Sequence, residues 1–220
     1  MDDIAGICAR FEGTFVGWQI AELQEIYQAL EPESRDFTSK FSISCPSGCG
    51  TCCERFVPDI TYSEARLVAA WLILNSRSRL VQAVEEWKSG DRGCPLYNPD
   101  TPYHCTVYPV RPLVCRLFAA CATKGKAGME FRRCRFNADA TAPQEIEAPA
   151  LEAAGAPVMQ DYAYRVRSLE GAGGVTLLPE AVLAAMDELR FILAATLDEQ
   201  GPDNSNPDDT PTPTPTPLAS

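Results

Sequence analysis

Histidine is nearly absent from this chain. His104 is the single one in 220 residues, so no serine or cysteine nucleophile has a second histidine to work with. His104 precedes Cys105 and has two open readings: a metal ligand or a group that orients one, or a residue of a loop surface. Long apolar runs are missing as well. The longest, Leu67-Val68-Ala69-Ala70-Trp71-Leu72-Ile73-Leu74, is far short of the roughly 20 residues that a membrane-spanning helix needs. The opening Met1-Asp2-Asp3-Ile4 is acidic and leads into no apolar run, which argues against a secretory signal. A glycine-rich phosphate loop is absent, because Gly171-Ala172-Gly173-Gly174 lacks the strand–helix setting such a motif requires. No nucleic-acid motif stands out. The expectation is a cytoplasmic protein with no membrane segment.

What is abundant is cysteine, ten in all. Four fall in one turn-rich stretch, Cys45-Pro46-Ser47-Gly48-Cys49-Gly50-Thr51-Cys52-Cys53, where glycine and proline let the backbone wrap around a point. Cys8, Cys94, Cys105, Cys115, Cys121 and Cys134 are spread around it. In a reducing compartment such a set favours metal ligation or redox chemistry over a disulfide framework. The adjacent Cys52-Cys53 pair fits that reading, since a bond between sequence neighbours closes a strained ring.

The pattern divides the chain into four stretches. Residues 1–40 form a helical segment, with Val16, Ile20, Leu23, Ile26 or Tyr27, and Leu30 on one stripe that Pro32 ends. Residues 41–137 form the cysteine-rich domain. Phe41-Ser42-Ile43-Ser44 alternates like a short strand. Thr61-Tyr62-Ser63-Glu64 reads as a capping box opening a helix buried through Leu67, Val68, Trp71 and Leu74. A second helix follows with Leu80, Val81, Val84 and Trp87 inward. Pro112 suits the first turn of another short helix, which aims Cys115 from a rigid element, and Cys121 and Cys134 flank a loop at 123–128. Residues 138–200 contain an Ala-, Pro- and Gly-rich stretch of no clear period. They close with a helix opened by Pro179 and lined by Val182, Met186, Leu189, Leu193 and Leu197. Residues 201–220, acidic and Thr-Pro-rich, cannot bury enough to order themselves. The fold class expected is mainly α: a small, irregular single domain with its loops organised by a cysteine–metal centre and flanked by amphipathic helices.

Charge is uneven. The net formal charge is −11, yet Arg111, Arg116, Lys124, Lys126, Arg132, Arg133 and Arg135 face a single acid, Glu130, between Arg111 and Arg135. That stretch either contacts an anionic partner or is a solvated surface whose bases also offset thiolate charge.

Metal is the most economical reason for thiols to gather. Zinc takes four ligands, and iron–sulfur clusters are held by cysteines. Cys49-x-x-Cys52 is a two-ligand knuckle for either, with closure from Cys94, Cys105 and Cys115. Successive side chains diverge, so Cys53 ligates, bridges to a second ion, packs, or stays reactive. Cys8, far from the cluster, reads as a packing cysteine.

The run Cys45 to Cys53, then Cys94-Pro95-Leu96, then Cys105-x-x-Tyr108-x-x-Arg111-Pro112-x-x-Cys115-Arg116-x-Phe118, resembles the YkgJ-type cysteine-cluster family, described as a zinc- or iron-chelating domain with a CxxCxxCC signature. The resemblance implies metal ligands at Cys45, Cys49, Cys52, Cys53, Cys94, Cys105 and Cys115, with an eighth at Cys134. Here the first gap has three residues, Pro46-Ser47-Gly48, where the signature has two. Flagellin lysine methylases, which are much larger, carry a related cysteine domain, and so imply an enzymatic precedent. The spacing Cys45-x-x-x-Cys49-x-x-Cys52 is also similar to that of the radical S-adenosylmethionine enzymes. The chain lacks their alternating strand–helix pattern, and Thr51 stands where they carry an aromatic. The function expected is metal binding, zinc or iron, an iron–sulfur cluster included. The alternative is an iron–sulfur redox protein or enzyme, methyl transfer among its chemistries. No catalytic residue is assigned.

Overall fold

The structure, a computed structural model, describes residues 4–44, 50–91, 93–101, 104–137, 139, 141–170 and 173–199. Cys45 and Cys49, the turn residues between them and the 201–220 tail lie outside the described residues. A short helix α1 (Ile4–Arg10) leads into the long α2 (Phe15–Lys40), and a single helical turn α3 (Thr51–Glu54) carries Cys52 and Cys53. Strand β1 (Asp59–Ile60) precedes the helices α4 (Tyr62–Leu74) and α5 (Ser78–Glu86). A 3-10 turn at Tyr108–Val110 leads to α6 (Leu113–Leu117), then a small sheet of β2 (Thr123–Gly125), β3 (Gly128–Arg132) and β4 (Glu145–Ile146). Helices α7 (Ala148–Ala153) and α8 (Met159–Arg167), strand β5 (Thr176–Leu177) and helix α9 (Leu178–Glu199) complete the order. The fold is mainly α, as expected.

Helix α4 is the axis. Ser63 through Leu72 are all buried, so it is enclosed all round rather than amphipathic, as a central helix must be. It packs on α9, α2, α5 and α1. Ile20, Leu23 and Leu30 of α2 meet Leu67, Val68 and Leu72 of α4 and Val182, Met186 and Leu189 of α9 in one core. That core also takes Val107, Val110, Leu113 and Leu117 from the cysteine-bearing segment around the 3-10 turn and α6, so this segment is anchored in the same interior as the long helices. Pairing of β1 with β5, through Asp59↔Leu177 and Ile60↔Thr176, ties the chain leaving α3 to the start of α9.

The capping box is present at Thr61 and Glu64, but Glu64 does more than cap. Its Oε2 accepts from Thr61 N (2.8 Å) and Thr61 Oγ1 (2.9 Å). Its Oε1 accepts from Tyr27 Oη (2.9 Å) and from the backbone N–H of Leu113 (2.7 Å). One buried carboxylate thus joins α2, α4 and the first turn of α6, the helix that bears Cys115.

Several local expectations are corrected. Pro32 does not end α2, which continues to Lys40. Pro32 and Gln28 are both exposed, so solvent satisfies the carbonyl that loses its donor, while Leu30 and Phe37 keep the same helix buried on the core side. Phe41–Ser44 is not a strand. Phe41 N–H bonds back to Phe37 O, and Ile43 N–H to Thr38 O (2.8 Å), with Ser42 at φ +52; the helix's last carbonyls take these donors. The 123–128 segment is not a loop but a hairpin, registered by Lys124↔Met129 and Gly125↔Gly128. Pro112 is the cap before α6 rather than inside its first turn, and Trp87 is the cap after α5. The Ala-, Pro- and Gly-rich stretch of no clear period, before the last helix, contains β4, α7, α8 and β5. Among the described residues, no helix is long and apolar enough to cross a membrane.

Removing the carboxylate strands Tyr27 Oη and Leu113 N–H in the interior. Glu64→Ala is expected to lower the unfolding free energy by about 3 kcal/mol, against about 1 kcal/mol for Thr61→Ala, which loses only a cap. Urea denaturation of both variants checks this, and equal small losses would contradict it.

Candidate metal centre

Three separately anchored segments bring thiols to one place. The first is α3. Cys53 N–H bonds to Gly50 O at 2.9 Å, closing a turn that leaves Cys52 and Cys53 half-buried with their sulfurs 3.9 Å apart. The second is the loop from Cys94 to Thr106. Cys94 N–H donates to Cys53 O (2.9 Å), which fastens this loop to α3. The approach is so close that a Cβ on Gly93, at φ +107, would lie 2.3 Å from Glu54 O. The loop then folds on itself: Asn98 N–H reaches His104 O (3.0 Å), Thr106 N–H reaches Leu96 O (3.0 Å), and Tyr97 bridges to Cys105. Cys94 and Cys105 are thereby held side by side, with Leu96 and Val107 as apolar anchors beneath.

The third segment is α6 with Cys115. Arg116 fixes it from outside. Its Nε donates to Arg111 O (2.8 Å) and its Nη2 to Pro109 O (2.7 Å), Nη1 pairs with Glu31 at 3.2 Å, and the guanidinium lies 4.1 Å from the Tyr27 ring centre. With Glu64 on Leu113 N–H, α6 is gripped at both ends.

Cys52, Cys53, Cys94, Cys105 and Cys115 all line one cavity. The thiols also perturb one another. Burial raises Cys94 to about 11, with the Cys105 and Cys52 thiols adding to the shift. Burial likewise raises Cys105, and raises Cys115 well above the ordinary thiol range with help from Cys94, Cys105 and Cys52. Within the adjacent pair, the hydrogen bond between the sulfurs favours a single thiolate, lowering Cys52 to about 6 and raising Cys53. The five share a cavity without converging on a point. Among the described residues, no group of three or more His, Cys, Asp or Glu is placed to hold a metal ion.

The donor set itself fits a thiophilic metal. Among the described residues its metal-ligating side chains are thiols, with no aspartate, glutamate or histidine in the cavity wall, and the eight described cysteines are all free. Soft thiolate sites select zinc, copper(I) or iron–sulfur centres over hard cations. Cys52, Cys53, Cys94, Cys105 and Cys115 are the described residues that would hold it.

The remaining predicted residues fall elsewhere or out of view. Cys45 and Cys49 lie outside the described residues, although Ser44 and Gly50, which bracket them, both line the cavity. Cys134 follows β3 and does not line the cavity. Cys8 packs against the main core, as expected, and Cys121 is buried in it, its thiol raised to about 12 by burial. His104 is half-buried, not on a free surface. Its ring stacks on Tyr97 at 5.9 Å, its Nδ1 is buried with no hydrogen-bond partner among the described residues, and a Cβ on Gly50 would meet its Cβ at 2.5 Å.

Part of the basic stretch is spent on the fold, through Arg116 and Arg133, while Lys124, Lys126, Arg132 and Arg135 are exposed. Arg133 is 4% exposed and donates to the carbonyls of Pro143, Ser42 and Phe41 at 2.7–2.9 Å. Asn137 Oδ1 accepts from Ser44 N–H at 2.8 Å. Together they clamp residues 41–44, which lead into the cysteine run. Lys124 pairs with Asp161. Sequence reading missed Arg133, Asn137 and the second role of Glu64. All three act on segments distant in the chain, and no local spacing signals that.

No curated protein and no solved structure matches the chain. Residues 44–139, the segment that carries the three anchored groups of thiols, match the model of the CxxCxxCC family, whose description reads "Putative zinc- or iron-chelating domain".

Proposed function

We propose that the chain holds zinc or iron through the clustered thiolates of Cys52, Cys94, Cys105 and Cys115, with Cys53 beside them and Cys45 and Cys49 supplied by the run that precedes α3. The observation that carries this reading is the gathering of five thiols around one cavity, from three separately anchored segments: α3 and the 94–106 loop held by backbone hydrogen bonds, and α6 by the side chains of Glu64 and Arg116. Burial of several thiols close together disfavours bare thiolates. A cation offsets that cost, and it couples binding to folding. When bound, the metal supplies either a structural cross-link among α3, the 94–106 loop and α6, or, as iron with sulfide, an electron-accepting centre. Five described thiols exceed the four that a single tetrahedral ion takes, which leaves room for a polynuclear centre; the second reading is an iron–sulfur centre, whose cysteine ligands the all-thiol set also suits. On that reading the chain is a redox protein or an enzyme.

Anaerobic preparations analysed for zinc, iron and labile sulfide separate the two. Colourless protein with stoichiometric zinc supports the first reading. Brown protein with sulfide supports the second. Metal-free, folded protein with every cavity thiol open to alkylation overturns both.

Two further outcomes are expected. Cys52→Ser, Cys105→Ser and Cys115→Ser each lose metal, and thermal stability falls with it, whereas Cys8→Ser and Cys121→Ser keep full metal content by elemental analysis. Metal affinity also rises with pH. Cys53, Cys94, Cys105 and Cys115 are raised, so at neutral pH they carry protons in the metal-free protein, and the metal must displace them. Zinc competition against a chromogenic chelator at pH 6.5, 7.5 and 8.5 reads the slope; a flat profile would contradict it.

A further inference from the structure

The cavity is larger than a coordinated ion requires. It measures about 470 Å³, in the range of sites for small organic molecules, roughly 300–1,000 Å³, whereas a tetrahedral zinc sits in contact with its four sulfurs and leaves no such space. The thiols occupy only part of its wall. Ile43, Pro58, Leu96, Val107 and Leu178 make an apolar lining. Phe56 and Phe118, 41% and 44% exposed, also border it with their ring centres 6.2 Å apart. Two exposed aromatics, tilted 43° to one another beside a cavity, contribute little to the core and are suited to covering a planar or apolar guest.

Arg111 supplies the polar handle. Both Arg111 and Arg116 line the cavity. Arg116 is committed to Glu31 and two backbone carbonyls. Arg111 instead lies with its guanidinium 3.8 Å from the Tyr108 ring centre, and its Nε is buried with no hydrogen-bond acceptor among the described residues. A buried guanidinium N–H without an acceptor is costly, and the geometry of the group matches a carboxylate, sulfonate or phosphate oxygen.

We propose that this cavity binds a small organic anion, its aromatic or aliphatic body lying along the Leu96–Val107 lining beneath Phe56 and Phe118 and its acidic group on Arg111. The site adds a ligand beside the thiols and stands whether or not a metal is held there.

The test uses the full chain and two probes of nearly equal shape. 1-Anilinonaphthalene-8-sulfonate carries the anion, and N-phenyl-1-naphthylamine lacks it. Fluorescence titration is expected to give saturable 1:1 binding of both, with the sulfonate tighter. Arg111→Gln is expected to weaken the sulfonate by about tenfold and leave the neutral probe unchanged, while Arg111→Lys retains most of the preference. Ala120→Trp, which adds bulk to the cavity wall, is expected to abolish both. Circular dichroism on each sample verifies folding, and metal content measured on the same samples reads metal loss separately from probe loss. Failure of the native chain to bind either probe would overturn the proposal. So would an equal response of both probes to Arg111→Gln, or indifference of both to Ala120→Trp.

Discussion

The structure depends on one buried carboxylate. Glu64 accepts four hydrogen bonds and so joins α2, α4 and the first turn of α6. A charge this deep is tolerated only when its lone pairs are filled. Tyr27 Oη, Leu113 N–H and both donors of Thr61 fill them. The same satisfaction fixes geometry: α6 cannot shift without stripping Leu113 N–H from Glu64, so Cys115 keeps its place relative to α4 and α2. Burial and the Glu64 charge also raise the Tyr27 phenol well above its ordinary range, which keeps it a donor. The ring of Tyr27 then receives Arg116, and Arg116 holds the carbonyls of Pro109 and Arg111. A core polar network is thereby continuous with the wall of the cysteine cavity.

The cysteine loops have little regular structure of their own, and their order comes from being stapled. The 94–106 loop is fastened to α3 by Cys94 N–H on Cys53 O and closed by pairing across Tyr97 and Cys105. The lead-in to the cysteine run is clamped by Arg133 and Asn137 on the carbonyls and N–H groups of residues 41–44. The arrangement suits a site that must hold several reactive thiols near one another without a disulfide among the eight described. It also leaves space beside them, bordered by apolar side chains and Arg111.

Local signals in the sequence were sound where local physics decides. The Thr61–Glu64 capping box, the apolar stripe of α9 through Val182, Met186 and Leu189, and the short helix carrying Cys115 are all present where the pattern puts them. The failures share a cause. Pro32 breaks a helix only if nothing else holds it, and Leu30 and Phe37 do. Phe41–Ser44 alternates like a strand, but the last carbonyls of α2 claim its N–H groups. The hairpin at β2–β3 is carried by Phe131 packing edge-on against Phe37, a contact ninety-odd residues away in the chain. Of the site, the five thiols that share the cavity, Cys52, Cys53, Cys94, Cys105 and Cys115, were among those the spacing singled out, whereas Cys134, singled out with them, lies away from it. Arg133 read as a surface base, because nothing local announces that its three partners are distant carbonyls.

The central claim is that the clustered thiols are metal ligands. X-ray absorption at the zinc and iron edges of protein purified without oxygen tests it most directly. The account predicts a stoichiometric metal whose nearest shell is sulfur at about 2.3 Å. A metal-free protein, or a metal surrounded by oxygen and nitrogen alone, would contradict it.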